Sequence, residues 1–301
     1  MPMPMPLRLA NLLVFALVAA WPAHRAGAQG AAPQAGTAVA GPDADSTDDA
    51  AAPKPLWEAG VFGFGVALPT YPGAAERTQR AFGLPFLIYR GKYFRVDEDS
   101  VGVRAVKTAS TELDIGFAGS FGVRSTDVAI RSGMPSLGTL FEFGPRLKLN
   151  LPAPIAGSRL RLDLPLRAVL DVSHAFQGRG LSFEPELDFG LHIAGGTRLG
   201  AKFGMVLGDR KLNDYVYGVA PQYANATRPA YAGQAGLVAT RLGLSTATSL
   251  GKDWDVFTFA RYDSVRGAAN AASPLVRKSG GASVGIGLAW TFWRSERMEQ
   301  K

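Results

Sequence analysis

The chain has no cysteine, and only three of its 301 residues are histidine. The missing thiols exclude disulfide scaffolds, thiolate nucleophiles and cysteine-based zinc sites in one step. Long apolar runs are scarce too. The clearest, LANLLVFALVAA at residues 9–20, has twelve residues against the ~20 that a membrane-spanning helix needs. Nor does one charge dominate: 32 Lys+Arg face 25 Asp+Glu, a formal balance of +7 without a dense basic run. Nucleic-acid binding therefore gains no support. What the chain does have is 47% hydrophobic residues, too many for disorder throughout. It also has 36 glycines, roughly 12% against a usual ~7%. The length fits one large domain or two small ones. Together these features suggest a β-rich exported protein.

The N-terminus indicates the compartment. Arg8 precedes the apolar stretch, and Ala26-Gly27-Ala28 supplies small residues where a signal peptidase reads. A short positive region, a short apolar core and an A-x-A site make a secretory signal peptide over residues 1–28. Its removal takes Arg8 and Arg25 and no acid, so the balance of +7 falls by two. Residues 29–55 are mostly Ala, Gly, Pro, Asp and Thr, with Val39 the one large aliphatic. Such a segment buries too little apolar surface to offset ordering, and is expected to be a flexible periplasmic leader.

From Trp57 onward the dominant period is two. In residues 159–172, Leu160, Leu162, Leu164, Leu166, Ala168, Leu170 and Val172 oppose Arg159, Arg161, Asp163, Arg167 and Asp171. Successive side chains of a strand point to opposite sides, so one face is apolar and the other charged. Leu181, Phe183, Leu187, Phe189, Leu191 and Ile193 likewise oppose Ser182, Glu184, Glu186, Asp188 and His192. Phe141, Phe143, Leu147, Leu149 and Leu151 oppose Glu142, Arg146, Lys148 and Asn150. Near the C-terminus Ala282, Val284, Ile286, Leu288, Trp290 and Phe292 alternate with small residues. Around 232–249 and 254–263 the alternation is too irregular to assign faces.

A soluble sandwich would place the apolar face inside; a membrane barrel would place it in lipid. The runs are 11 to 14 residues long, more than the usual ~5–6 of soluble strands and close to the ~9–11 of tilted spanning strands. The fold class expected is therefore all-β, a transmembrane antiparallel up-and-down β-barrel occupying residues 56–292. About twelve strands are expected: 57–68, 84–90, 93–97, 101–107, 111–121, 140–151, 159–172, 181–194, 197–208, 232–249, 254–263 and 282–292. The number becomes ten if the short segments near 98–100 form a separate hairpin. Connections at 69–83, 122–139, 173–180, 209–231 and 264–281 are long. Those at 91–92, 108–110, 152–158, 195–196 and 250–253 are short. Long loops outside and short turns inside is the asymmetry of outer-membrane barrels.

Particular strings also resemble a known family. Pro69-Thr70-Tyr71-Pro72-Gly73 follows a glycine-aromatic first strand, and Gly83-Leu84-Pro85 leads to Tyr89-Arg90-Gly91. Tyr215-Val216-Tyr217-Gly218-Val219 and Ser273-Pro274-Leu275-Val276 come later. In this order, over about 57–292, they resemble the MipA/OmpV family of Gram-negative outer-membrane proteins. The resemblance implies a barrel in the cell outer membrane, in contact with lipid and lipopolysaccharide and inserted by the barrel insertion machinery. It also implies a non-enzymatic role, as a scaffold between a lytic transglycosylase and a peptidoglycan synthase or as an envelope stress-adaptation protein. Such barrels usually end on an aromatic insertion signal. Leu288, Trp290 and Phe292 fit it, but residues 293–301 follow as a short periplasmic tail.

Chemistry is thinly represented. Gly281-Ala282-Ser283-Val284-Gly285 matches the nucleophile-elbow pattern, but Ser283 lies in a terminal strand with no later histidine. Ser173-His174, at a strand end, is the one candidate for a lipid hydrolase. No convergent His/Asp/Glu set suggests a metal, and no cofactor is expected. The informative constellation is a ladder of lumen charges. Arg146 and Lys148 stand on one strand, Arg159, Arg161 and Arg167 on the next, and Glu184, Glu186 and Asp188 on the one after, with Glu112 and Asp114 earlier in the chain. Alternating signs favour a paired structural plug over a narrow small-solute channel with a charged constriction. Tyr215, Tyr217 and Tyr223 decorate the longest outer loop, either as an interfacial belt or as a folded-in lid.

Overall fold

The computed structural model describes residues 55–90, 95–97, 100–102, 106–108, 110–193 and 196–298. The expected signal peptide (1–28), the leader apart from Pro55, and the turn at 91–92 lie outside the described residues. The strands are β1 (Trp57–Pro69), β2 (Arg77–Arg90), β3 (Arg95–Asp97), β4 (Ser100–Gly102), β5 (Val106–Lys107), β6 (Thr111–Ser120) and β7 (Leu140–Leu151). They continue with β8 (Ser158–Asp171), β9 (Gln177–Phe183), β10 (Glu186–Ile193), β11 (Thr197–Gly208), β12 (Gly236–Ser249), β13 (Trp254–Ser264) and β14 (Gly280–Arg294). One α-helix, α1 (Arg210–Tyr217), lies between β11 and β12.

Hydrogen-bonded neighbours run β4-β3-β2-β1-β14-β13-β12-β11-β10-β8-β7-β6-β5, with β9 also bridging β8 and β11. The pairs are antiparallel, and the first long strand pairs with the last. The two ends of this path, β4 and β5, are consecutive in the chain. The fold is an up-and-down antiparallel β-barrel, as the alternation predicts. Two of the twelve expected strands are each split in two: 101–107 into β4 and β5, and 181–194 into β9 and β10. Pro185 causes the second break, because it has no N–H to give the ladder. The partners hold across it all the same: Glu184 N–H donates to Pro165 O and Met205 N–H to Pro185 O.

Burial distinguishes barrel from sandwich. Ile286 and Leu244 are each 60% exposed, while Arg161 and Asp188 are each 1% exposed. The apolar face is outermost and the charged face is inside, the inversion that lipid as solvent requires. Among the described residues no helix is long and apolar enough to cross a membrane. At the short-turn end, Trp254 and Trp290 stack at 5.5 Å, and Phe292 packs edge-on against Trp290 and Trp293. That cluster forms part of an aromatic girdle at one interface.

Several boundaries move; β9 begins at Gln177 rather than 181 and β12 at Gly236 rather than 232. β2 begins at Arg77 rather than Leu84, because Arg77-Thr78-Gln79-Arg80 carries no apolar alternation yet still pairs fully with β1. β14 continues past Phe292 to Arg294. Beyond it Ser295 N–H donates to Trp57 O, Leu56 N–H donates to Arg297 O, and Met298 bridges Pro55. The two ends of the barrel domain thus leave as a pair from the short-turn end.

Candidate functional site

Inside the barrel the strand register sets basic residues opposite acidic ones. Asp114 pairs in register with Arg146, and Glu112 with Lys148. Arg146 Nη2 accordingly donates to Asp114 Oδ2 at 2.6 Å, while Lys148 Nζ lies 3.4 Å from Glu112 and 3.3 Å from Asp114. On β8, Arg161 Nε sits 2.8 Å from Asp163, and its Nη2 sits 3.3 Å from Asp188 on β10. Arg159 reaches the same Asp188 at 3.5 Å. Arg167 lies 3.6 Å from Glu184 and 4.0 Å from Glu142, and Lys202 lies 3.2 Å from Glu186. Every residue of the expected ladder therefore enters an ion pair. A buried charge stripped of its partner costs several kcal/mol, so the signs must interleave.

Three members were not legible in the sequence. Arg241 Nε donates to Asp263 Oδ1 at 2.7 Å, Arg241 also meets Glu184 at 3.5 Å, and Arg261 meets Asp263 at 3.2 Å. These lie on β12 and β13, where polar and apolar residues do not separate cleanly. The cause is a second lumen wall. Phe62, Phe64, Phe82, Phe257 and Phe259 line the interior on β1, β2 and β13. Phe62 stacks on Phe257 at 5.0 Å and Phe64 on Phe257 at 5.6 Å. They lie over β14, where a Cβ on Gly287 would fall 1.8 Å from the Phe257 ring. The outer face of β12 meanwhile carries Thr246, which bonds Thr258 at 2.8 Å. Apolar inside and hydroxyl outside erases the contrast from which faces are assigned.

The outer loops fold inward as a lid. Residues 70–76, 121–139, 209–235 and 265–279 supply Tyr71, Val123, Val128, Leu137, Tyr217 and Val265 to one buried cluster at the long-loop end. Tyr71 O–H donates to Leu275 O at 2.9 Å, Tyr217 O–H to Pro72 O at 3.1 Å, and Ser273 O–H to Tyr217 O at 2.7 Å. Gly73 has φ +86° where the first loop turns, and its carbonyl accepts from Arg277 and Lys278. Asp209 caps α1 by accepting from Leu212 N–H. Tyr215 O–H donates to Asp171 at 2.9 Å and accepts Gly138 N–H at 2.6 Å. Burial pushes the hydroxyls of Tyr71 and Tyr215 up to about 12, and that of Tyr217 higher still. Tyr217 is buried and Tyr215 and Tyr223 half-buried, the folded-in alternative of the two expected for this loop.

Asp171, fully buried at the end of β8, is the hinge pin of this lid. It accepts from Arg179 at 2.6 Å, from Tyr215, and from Ser173 N–H, and it faces His174 Nδ1 at 2.9 Å. Ser173 Oγ instead accepts Thr139 N–H at 2.9 Å. The hydroxyl and the imidazole are thus held by different partners. Ser283 is buried in the lumen, 3.5 Å from Arg261, on a strand that runs on through it. His192 is exposed near the short-turn end. Among the described residues no group of three His, Asp or Glu could hold a metal ion.

Solved structures with a similar strand arrangement include the translocator domain of the autotransporter NalP from Neisseria meningitidis. It shares 14% identity at a TM-score of 0.44, over 83% of this chain and 90% of that one. The NanC porin matches at 10% identity and a TM-score of 0.36, covering 79% of this chain and 100% of that one. Outer membrane phospholipase A from Escherichia coli gives 10% and 0.31, over 78% and 93%. No curated protein sequence matches the chain. One family model does, that of MltA-interacting protein MipA, over residues 61–292, from within β1 to within β14. The chain is an outer-membrane β-barrel and belongs to the MipA family.

Proposed function

We propose that this barrel is a sealed, non-enzymatic scaffold that links the outer membrane to peptidoglycan-remodelling enzymes at its periplasmic rim. The observation that carries the reading is the double closure. Opposite charges pair between neighbouring strands along the lumen wall, and the long loops pack into one core at the outer end. A barrel closed in this way offers surfaces rather than a path. The surface on the periplasmic side is the short-turn rim, where Arg294 lies 3.1 Å from Glu58 and also pairs with Asp253. The family name, MltA-interacting protein, supports a lytic transglycosylase as one partner; a peptidoglycan synthase is the second partner of this reading. Export then proceeds by removal of residues 1–28, with 29–55 as a tether.

Envelope extracts passed over the full-length barrel should enrich cell-wall hydrolases and synthases, and the bait recovered from cells should begin at Gln29. In planar bilayers the same preparation should give no steady single-channel current. Currents that disappear when Arg161 and Arg167 are neutralised would replace the scaffold with the narrow-channel reading. An extract that enriches no cell-wall enzyme would remove the scaffold role.

A further inference from the structure

The lid contains two buried arginines that no acid neutralises. Arg131 is 2% exposed and Arg228 is 6% exposed. Arg131 Nη1 donates to Val216 O at 2.8 Å and Nη2 to Pro135 O at 3.4 Å, while its Nε has no hydrogen-bond partner. Of the five N–H groups of a guanidinium, three are therefore left without a protein acceptor. Arg228 binds carbonyls alone, those of Tyr223, Ile130 and Ser132. Among the described residues neither guanidinium makes an ion pair with a carboxylate. Burial lowers the Arg131 guanidinium below its ordinary value, and the like charge of Arg228 adds to the effect. This contrasts with the lumen, where the buried arginines of the ladder have acidic partners. Charges buried without a partner are costly, and an anion brought to them recovers that cost.

Arg131 lines a crevice in the outer face of the lid with a volume of about 650 Å³, within the ~300–1,000 Å³ of small-molecule sites. Its walls include Met134, Pro221, Tyr215, Tyr223 and Tyr231. The Tyr215 hydroxyl is engaged by Asp171 and Gly138, and the Tyr231 hydroxyl reaches Asn270 at 3.3 Å. Those two rings therefore offer carbon, not donors, to an occupant. Of the other charged groups at the crevice, Arg179 and His174 both face Asp171, while Asp214 accepts Gly233 N–H at Oδ1 and makes no ion pair with Arg131. What is missing is one negative charge at Arg131, carried on a flat apolar body.

We propose that the lid crevice is an extracellular binding site for a small aromatic carboxylate, its carboxylate on Arg131 and its ring against Tyr223 and Tyr231. A planar carboxylate accepts two of the free N–H groups at once, which a point charge does less well. The site does not depend on the scaffold reading, because it opens on the opposite side of the barrel from the periplasmic rim.

The test uses the full barrel refolded in detergent and titrated with 1-naphthoate, its neutral isostere 1-naphthamide, and inorganic phosphate. Naphthoate should bind saturably, at least tenfold more tightly than the amide. Arg131→Gln should reduce naphthoate to the level of the amide while leaving the amide unchanged. Tyr223→Leu should weaken both ligands. Retention of the compact, heat-modifiable band on gels shows that each variant is folded; the acid-against-amide comparison on the unaltered chain stands whether or not the variants fold. Equal affinity for acid and amide would overturn the proposal. So would full naphthoate binding by folded Arg131→Gln, or displacement of naphthoate by phosphate at equal concentration.

Discussion

Asp171 shows how one residue joins barrel to lid. It ends β8, and its carboxylate collects Arg179 from β9, Tyr215 from α1 and His174 from the turn between β8 and β9. Gly138 must approach it closely, since a Cβ there would lie 2.0 Å from Asp171 Oδ1. The sequence marks Asp171 as a polar-face strand residue and marks Tyr215 as an aromatic in a long loop, but nothing local joins the two. The tyrosines make the lid measurable. Buried phenols ionise late, and those of Tyr71 and Tyr215 are pushed up to about 12 against an ordinary 10.0. A folded-state value above the unfolded one means that the stabilisation is complete below about pH 10 and declines as the pH rises toward 12. Tyrosinate absorbance should therefore show a group of residues titrating near pH 12 in the folded barrel. Deleting residues 126–136 from the lid should bring that group down toward 10. Normal titration of every tyrosine in the intact protein would mean that the lid is not packed.

Strands were legible wherever lipid and charge lie on opposite faces. β7, β8 and β10 have an outer face of Leu and Phe and an inner face of Arg, Lys, Glu and Asp, and the register sets Lys148 opposite Asp163 and Arg161 opposite Asp188. β12 and β13 were not legible residue by residue, since Phe257 and Phe259 face inward while Thr246 and Thr258 face outward. Arg241 and Asp263 were therefore missed, although they make one of the shorter bonds in the lumen at 2.7 Å. Pairing predicts a non-additive mutational response. Arg161→Leu leaves Asp163 and Asp188 facing each other without their nearest cation, and should destabilise the barrel by about 3–5 kcal/mol. Arg161→Leu combined with Asp163→Leu removes both charges of one pair and should recover most of that loss. Urea unfolding in micelles, followed by the heat-modifiable band, measures both variants. Additive losses would mean that the two residues act separately.

At the scale of the molecule, location was legible and the contacts that build the lid were not. Alternation and loop asymmetry both indicate an outer-membrane barrel, because each reflects a solvent boundary that every strand meets. The lid has no such signature: Tyr71 bonds Leu275 across 204 positions, and no local pattern encodes that contact. A barrel sealed as proposed has two barriers in series, the lid core above and the ion-paired, phenyl-lined lumen below. Series barriers dictate how permeability responds to mutation. Deleting residues 126–136 removes Val128 and Arg131 from the lid but leaves the lumen pairs in place. Neutralising Arg161, Asp163, Arg241 and Asp263 together loosens the lumen but leaves the lid. Either change alone should leave the barrel non-conducting in planar bilayers, and only the two combined should give steady currents. If the lid deletion alone conducts, the lumen already holds a continuous path, and the lid is then the gate of a channel rather than half of a seal.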